Sequence, residues 1–245
     1  MTAQSLNLDI LLKPISICSK KIMHQILTAL HVIAGGFTLL VGLVIMLGKK
    51  GGKRHIQLGW SYVIAMWVIC LSAFSIIAFY RFSFFLMVIG VLTFHFTFVG
   101  VRVMRRSKNG TEQWYDWLVS IMTALFGLGL IGYAVHIFLL VGGYHMVSLL
   151  SAIFGIGTLV TAWKDLKVFI QKPALPKNWW IEKHISMMGG SYIAAVTALA
   201  VQNGTFLLPS PSYSWLLWVM PGVIGGRVIS RVIRRRRPAS TLKHG

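Results

Sequence analysis

The chain has 245 residues, of which 24 are Lys or Arg and only 5 Asp or Glu, for a net charge of +19. Hydrophobic residues make up 56% and charged residues 12%, half the roughly 25% charged share of soluble domains, so a water-facing surface cannot be assembled from this composition. Disorder is excluded by 9 Trp and 14 Phe set among long aliphatic runs, and the placement of the basic residues argues for a membrane over a nucleic-acid partner.

The chain opens on a segment, 1–24, without the marks of a signal peptide. Met1 to Asn7 holds no basic residue, and the run Ile10–Ile17 is broken by Lys13 and Pro14. Cys18 lies in this polar segment and Cys70 in an apolar run, so both are expected as free thiols. Seven segments then reach the length a bilayer needs, about 20 apolar residues. They are Leu27–Leu47, Leu58–Phe79, Phe82–Val101, Leu118–Leu140, Met146–Trp163, Ile185–Gln202 and Tyr213–Ile229. Only Tyr80–Arg81 separates the second from the third. A single long helix there would hold Arg81 in mid-membrane, at a cost of several kcal/mol.

The loops assign an orientation. All of the 24 basic residues except Lys13, Lys20, Lys21 and Arg81 fall on one side: after helix 1, after helix 3, between helices 5 and 6, and at the C-terminal end. The positive-inside rule then places the N-terminus outside and the C-terminus inside. All five carboxylates (Asp9, Glu112, Asp116, Asp165 and Glu182) are assigned to interfaces or loops, which argues against a carrier working through a buried acid.

Three pairs of segments match in order, offset by about 120–130 residues. Arg54-His55-Ile56 with Gly59 to Ala65 corresponds to Lys183-His184-Ile185 with Gly189 to Ala195. Thr38-Leu39-Leu40-Val41 corresponds to Thr158-Leu159-Val160, and Gly100 to Arg106 to Gly225 to Arg231. The expected organisation is 3+1+3: an extracytoplasmic segment 1–24, a first repeat 25–106, a linker helix 107–141, a second repeat 142–231 and a basic cytoplasmic tail 232–245. A parallel repeat about an axis along the membrane normal results. The stripe Ser186, Gly190, Ala194 and Ala198, with Gly222 and Gly226 in helix 7, suits close helix contact.

Chemistry is sparser. Gly127, Gly129 and Gly132 match G-x-G-x-x-G but lie inside an apolar helix, so no dinucleotide site is expected. H-E-x-x-H is missing and no catalytic constellation is legible. The histidines fall in two layers: His31 and His136 near the outer boundary, His95 towards the inner one. Such layers suit haem b or another metal, with Met220 as a partner for His95. The best ligand-binding candidates form an inner-face cluster: Arg54, His55, Lys183 and His184, with Tyr62 and Tyr192 beside them in the repeat. Anionic lipid headgroups on the cytoplasmic face are the expected partners there. Trp179 and Trp180 read as interfacial anchors.

His31-x-x-x-Gly35, Lys50-Gly51, His55-x-x-x-Gly59, Met66, Asp116-Trp117, and His184 followed by Ser191-Tyr192 together resemble an uncharacterised family. It is the family of bacterial multi-pass membrane proteins catalogued as domain of unknown function 2306. Where that pattern has an Arg after the helix 2 histidine, this chain has Ile56. The resemblance covers helices 1 to 6. It implies a polytopic helical fold in the bacterial cytoplasmic membrane, and it raises His31, His55 and His184 as site candidates. Three functional readings stand: a small-molecule carrier or binding protein with a site between the two repeats, a haem- or metal-binding redox protein, and a non-catalytic assembly subunit or homo-oligomer. A carrier's substrate is expected to be neutral or anionic.

Overall fold

A computed structural model describes residues 3–109, 111–143, 145–176, 178–208, 210 and 213–236. The described residues are all-helical: α1 Ala3–Leu47, α2 Lys53–Phe79, α3 Phe84–Asn109, α4 Trp114–Val141, α5 Met146–Gln171, α6 Trp179–Gln202, the short α7 Gly204–Leu207 and α8 Ser214–Arg236. Seven of them are long and apolar enough to cross a membrane, as the seven-span reading requires. The protein is a seven-helix membrane protein.

The helices outrun the apolar segments read from sequence. In α1 the apolar stretch begins at Ser19 and continues to Leu47, and the helix itself extends back to Ala3. Helix α5 continues beyond Trp163 to Gln171, and α6 starts at Trp179. Asp116, Asp165 and Lys183 therefore lie within helices. Breaks fall where local chemistry demands them. Tyr80 and Arg81 both donate their backbone N–H to the Ile76 carbonyl, at 3.1 and 3.0 Å, ending α2 before α3 begins. Lys50 turns its ammonium onto the α1 carbonyls of Ile45 and Met46 and that of Gly48 just beyond, at 2.5–2.8 Å, which satisfies orphan acceptors where the helix dipole is negative. Gly142, at φ 68°, ends α4 in the left-handed region that glycine enters without a Cβ penalty.

The chain forms two compact units, 1–90 and 91–245. In the first, α1 and α2 pack together, and α2 buries Tyr62, Val63, Met66, Cys70, Ala73 and Ile76. Cys70 is a free thiol that donates to the Gly90 carbonyl at 3.8 Å; the side chain of Cys18 lies outside the described set. The start of α3 comes close enough that a Cβ on Gly90 would meet the Phe74 ring at 3.1 Å.

In the second unit α4 and α5 form an extensive hairpin. Helix α4 buries Asp116, Ser120, Thr123, Gly127, Leu130 and Ala134, and α5 buries Ser148, Ser151, Gly155, Thr158, Ala162 and Asp165. Both stripes step by three and four residues, the spacing of one helix face. Their content inverts the soluble rule. Small and polar residues turn inward, whereas Leu118, Ile121, Met122, Leu125, Leu128 and Leu139 are exposed, as expected where lipid competes for the apolar side chains. Inward hydroxyls find carbonyls: Ser151 bonds Val147, Thr158 bonds Phe154, and Ser148 reaches across to Ala134 at 2.8 Å, so few polar atoms are left bare in an apolar medium.

Helices α6 and α8 form another contact of this unit, through different glycines from those expected. A Cβ on Gly225 would lie 2.4 Å from Ile193, and one on Gly189 2.6 Å from Ile229, whereas Gly222 and Gly226 face open space. Gly190 seats the ring of Phe96 from α3.

Candidate functional site

The polar interior of the second unit gathers where α3, the start of α4, the end of α5 and the start of α6 meet. Asp165, on the inward stripe of α5, receives the Lys183 ammonium on Oδ1 at 2.6 Å. Its other oxygen, Oδ2, faces His95 Nε2 at 3.6 Å. The side chains of His95 and Asp165 are 1% and 5% exposed, and that of Lys183 is 21% exposed. The pair is thus enclosed, and Lys183 is the most exposed of the three. Of the carboxylates expected at interfaces or in loops, Asp116 and Asp165 lie towards helix ends and are buried on helix faces rather than in loops. The reason is helical register. Asp165 lies seven residues after Thr158, two turns along the same inward face.

His95 is held from α4. Thr123 Oγ1 lies 3.1 Å from Nδ1 and also donates to the Val119 carbonyl at 2.7 Å. A threonine hydroxyl has one hydrogen. With that hydrogen directed at Val119, the arrangement suits an Nδ1–H that donates to Thr123. One turn earlier on the same face, Ser120 Oγ is buried with no hydrogen-bond partner among the described residues.

A second ion pair closes the neighbouring end of α3 and α4. Arg102 grips Asp116 through two bonds of 2.8 and 2.6 Å, and its guanidinium lies 4.5 Å over the Tyr115 ring. Asp116 also accepts from the Gln113 backbone N–H at 2.9 Å, completing a capping box at the start of α4. One turn further along α3, Arg106 stacks on Phe169 and Trp179, 4.6 and 5.5 Å from their ring centroids. No carboxylate lies within 4.0 Å of Arg106 among the described residues.

The residues singled out from sequence separate accordingly. Lys183 is committed to Asp165, and the His184 Nδ1–H donates to the Gly100 carbonyl at 2.8 Å. Tyr192 is half-buried further along α6. In the first unit Arg54 is exposed, His55 half-buried and Tyr62 buried. His31 Nδ1 lies 3.0 Å from Ser72 Oγ, which itself donates to the Ile69 carbonyl. His136 is exposed on α4. Met220 is 44% exposed on α8 whereas His95 is fully enclosed, and each His95 nitrogen faces a protein oxygen. Among the described residues no group of three or more His, Cys, Asp or Glu is placed to hold a metal ion. A shallow apolar groove lined by Ala134, Val135, Phe138, Ser148, Leu149 and Ala152 lies at the opposite end of the α4–α5 hairpin from Asp116 and Asp165.

Sequence reasoning missed Asp165, Thr123 and the Arg102–Asp116 clasp. The signal for Asp165 was present in its spacing from Gly155, Thr158 and Ala162. Pairing with α3 and α6 has no one-dimensional trace. No family model, curated protein or solved structure matches the chain.

Proposed function

We propose that the protein is a membrane carrier or binding protein for a small anionic solute, with the polar end of the second unit as its site. The observation that carries this reading is Arg106. Its neighbours Arg102 and Lys183 are each matched by a buried aspartate, but this half-buried guanidinium has aromatic rings and no carboxylate partner among the described residues. Cations held at helix ends within a membrane bundle mark ligand and ion paths, and a planar guanidinium suits carboxylate or phosphate. Membership of the family that the motifs of helices 1 to 6 resemble belongs to the same proposal, as does the bacterial cytoplasmic membrane.

The test is thermal stability of the purified protein against inorganic phosphate, mono- and dicarboxylates and phosphatidylglycerol, at constant ionic strength. A ligand at 100 times its Kd stabilises by about 2.7 kcal/mol. A soluble anion class that raises the Tm of the native protein but not of Arg106→Gln supports the reading, and flux of that anion into proteoliposomes completes it. Stabilisation by phosphatidylglycerol alone assigns Arg106 to lipid headgroups. Equal responses in the native protein and Arg106→Gln overturn the proposal.

A further inference from the structure

We propose that His95 and Asp165 form a binding site for a single proton, whether or not the protein carries a solute. Thr123 directs its one hydrogen at Val119, an arrangement that suits a proton on His95 Nδ1. A neutral imidazole then has a bare lone pair at Nε2. That lone pair points at Asp165 Oδ2, 3.6 Å away. Both atoms are buried, and neither has a hydrogen-bond partner among the described residues. Two acceptors facing each other in an enclosed space repel, and one proton on Nε2 turns the repulsion into an imidazolium–carboxylate contact.

The surrounding charges are accounted for from each element. Asp165 faces His95 from α5 and Lys183 lies behind it from α6, bonded to the other carboxylate oxygen. Helix α4 contributes the Thr123 hydroxyl, while its Asp116 is held by Arg102. The cations on α3 itself are Arg102, Arg105, Arg106 and Lys108, of which Arg102 and Arg106 lie two and three turns from His95. With Lys183 charged, Asp165 ionised and His95 neutral, the trio has no net charge. Loading forms one N–H bond at Nε2 with a proton taken from water and leaves the trio at one positive charge. Lys183, the partly exposed member, connects the carboxylate to the surface.

The full-length protein in lipid nanodiscs, with histidine labelled in nitrogen-15 and aspartate in carboxyl carbon-13, provides the test by solid-state NMR. Recoupling between an aspartate carboxyl carbon and an imidazole nitrogen selects the His95 signals, and His95→Gln removes them. At high pH the expected state is Nδ1 protonated with Nε2 bare. Lowering the pH adds one proton at Nε2, and Asp165→Asn weakens that proton's affinity at least about tenfold. In Thr123→Val the neutral tautomer switches, with Nε2–H donating to Asp165. A native His95 that is neutral with Nε2 protonated at high pH overturns the proposal, and this reading needs no substitution to fold. An affinity unchanged in Asp165→Asn overturns it too, as does occupancy of the gap by sodium, seen as a proton affinity that falls with sodium at constant ionic strength.

Discussion

Gly127 on α4 and Gly155 on α5 bring the two helix backbones into contact. A Cβ on Gly127 would lie 3.0 Å from the Gly155 carbonyl oxygen, and one on Gly155 would lie 2.9 Å from that of Gly127. The obstacle in both cases is main chain, which cannot swing aside. The first glycine of the G-x-G-x-x-G match is thus a helix-contact residue, and the other two, Gly129 and Gly132, face open space.

Gly127→Ala and Gly155→Ala should each destabilise the protein by about 1–3 kcal/mol, the usual cost of overpacking. Gly129→Ala and Gly157→Ala, which meet nothing within 4 Å, should be neutral or stabilising by up to about 1 kcal/mol through helix propensity. Unfolding of the detergent-purified variants followed by circular dichroism reads the contrast. Equal losses at all four positions would refute the backbone contact.

The Arg102–Asp116 clasp should be costly to break. Both side chains are enclosed, at 12% and 3% exposure, and Asp116 also caps α4. Asp116→Ala should cost about 3–5 kcal/mol, because it leaves a buried guanidinium uncompensated. Arg102→Lys keeps the charge but loses the paired geometry, so its loss should be smaller. A double-mutant cycle between the two positions should show strong coupling, little changed by added salt.

Gly225 and Ile193 offer a rescue experiment for α6 and α8. Gly225→Ala places a methyl group within 2.4 Å of Ile193 side-chain carbon, and lowers thermal stability. Ile193→Ala in the same chain should recover much of that loss, since the obstructing atoms belong to a side chain. Gly222→Ala and Gly226→Ala should leave the Tm unchanged.

Orientation is open to direct labelling. In a Cys18→Ser background, with Cys70 buried, a cysteine placed at Gly143 should react with a membrane-impermeant maleimide in intact cells. Ones placed at Lys49 or Lys172 should react only after the membrane is opened. The reverse pattern would contradict the charge-based orientation.

Much of the architecture is local, and locality makes it legible. The Tyr80–Arg81 break, the seven apolar runs and the glycine after α4 depend on residues adjacent in the chain. Helix ends were less legible, because α5 runs past Trp163 through Lys164 and Asp165, residues whose polarity resembles a loop until their partners are known. The glycine contacts show the same limit: the stripe of small residues is visible in sequence, but Gly225 and Gly222 differ only in which neighbour each one faces.

Hydropathy determined by itself that the chain belongs in a membrane, and the placement of the 24 basic residues against 5 acidic ones set the orientation expected of its loops, because both are sums over neighbouring residues. The scarcity of acids also suggested an interior served by histidines alone. Tertiary structure decided otherwise. A carboxylate on a helix face acquires meaning from the helices packed against it, and only the convergence of α3, α5 and α6 brings Asp165 between His95 and Lys183, where burial makes each charge depend on its partner.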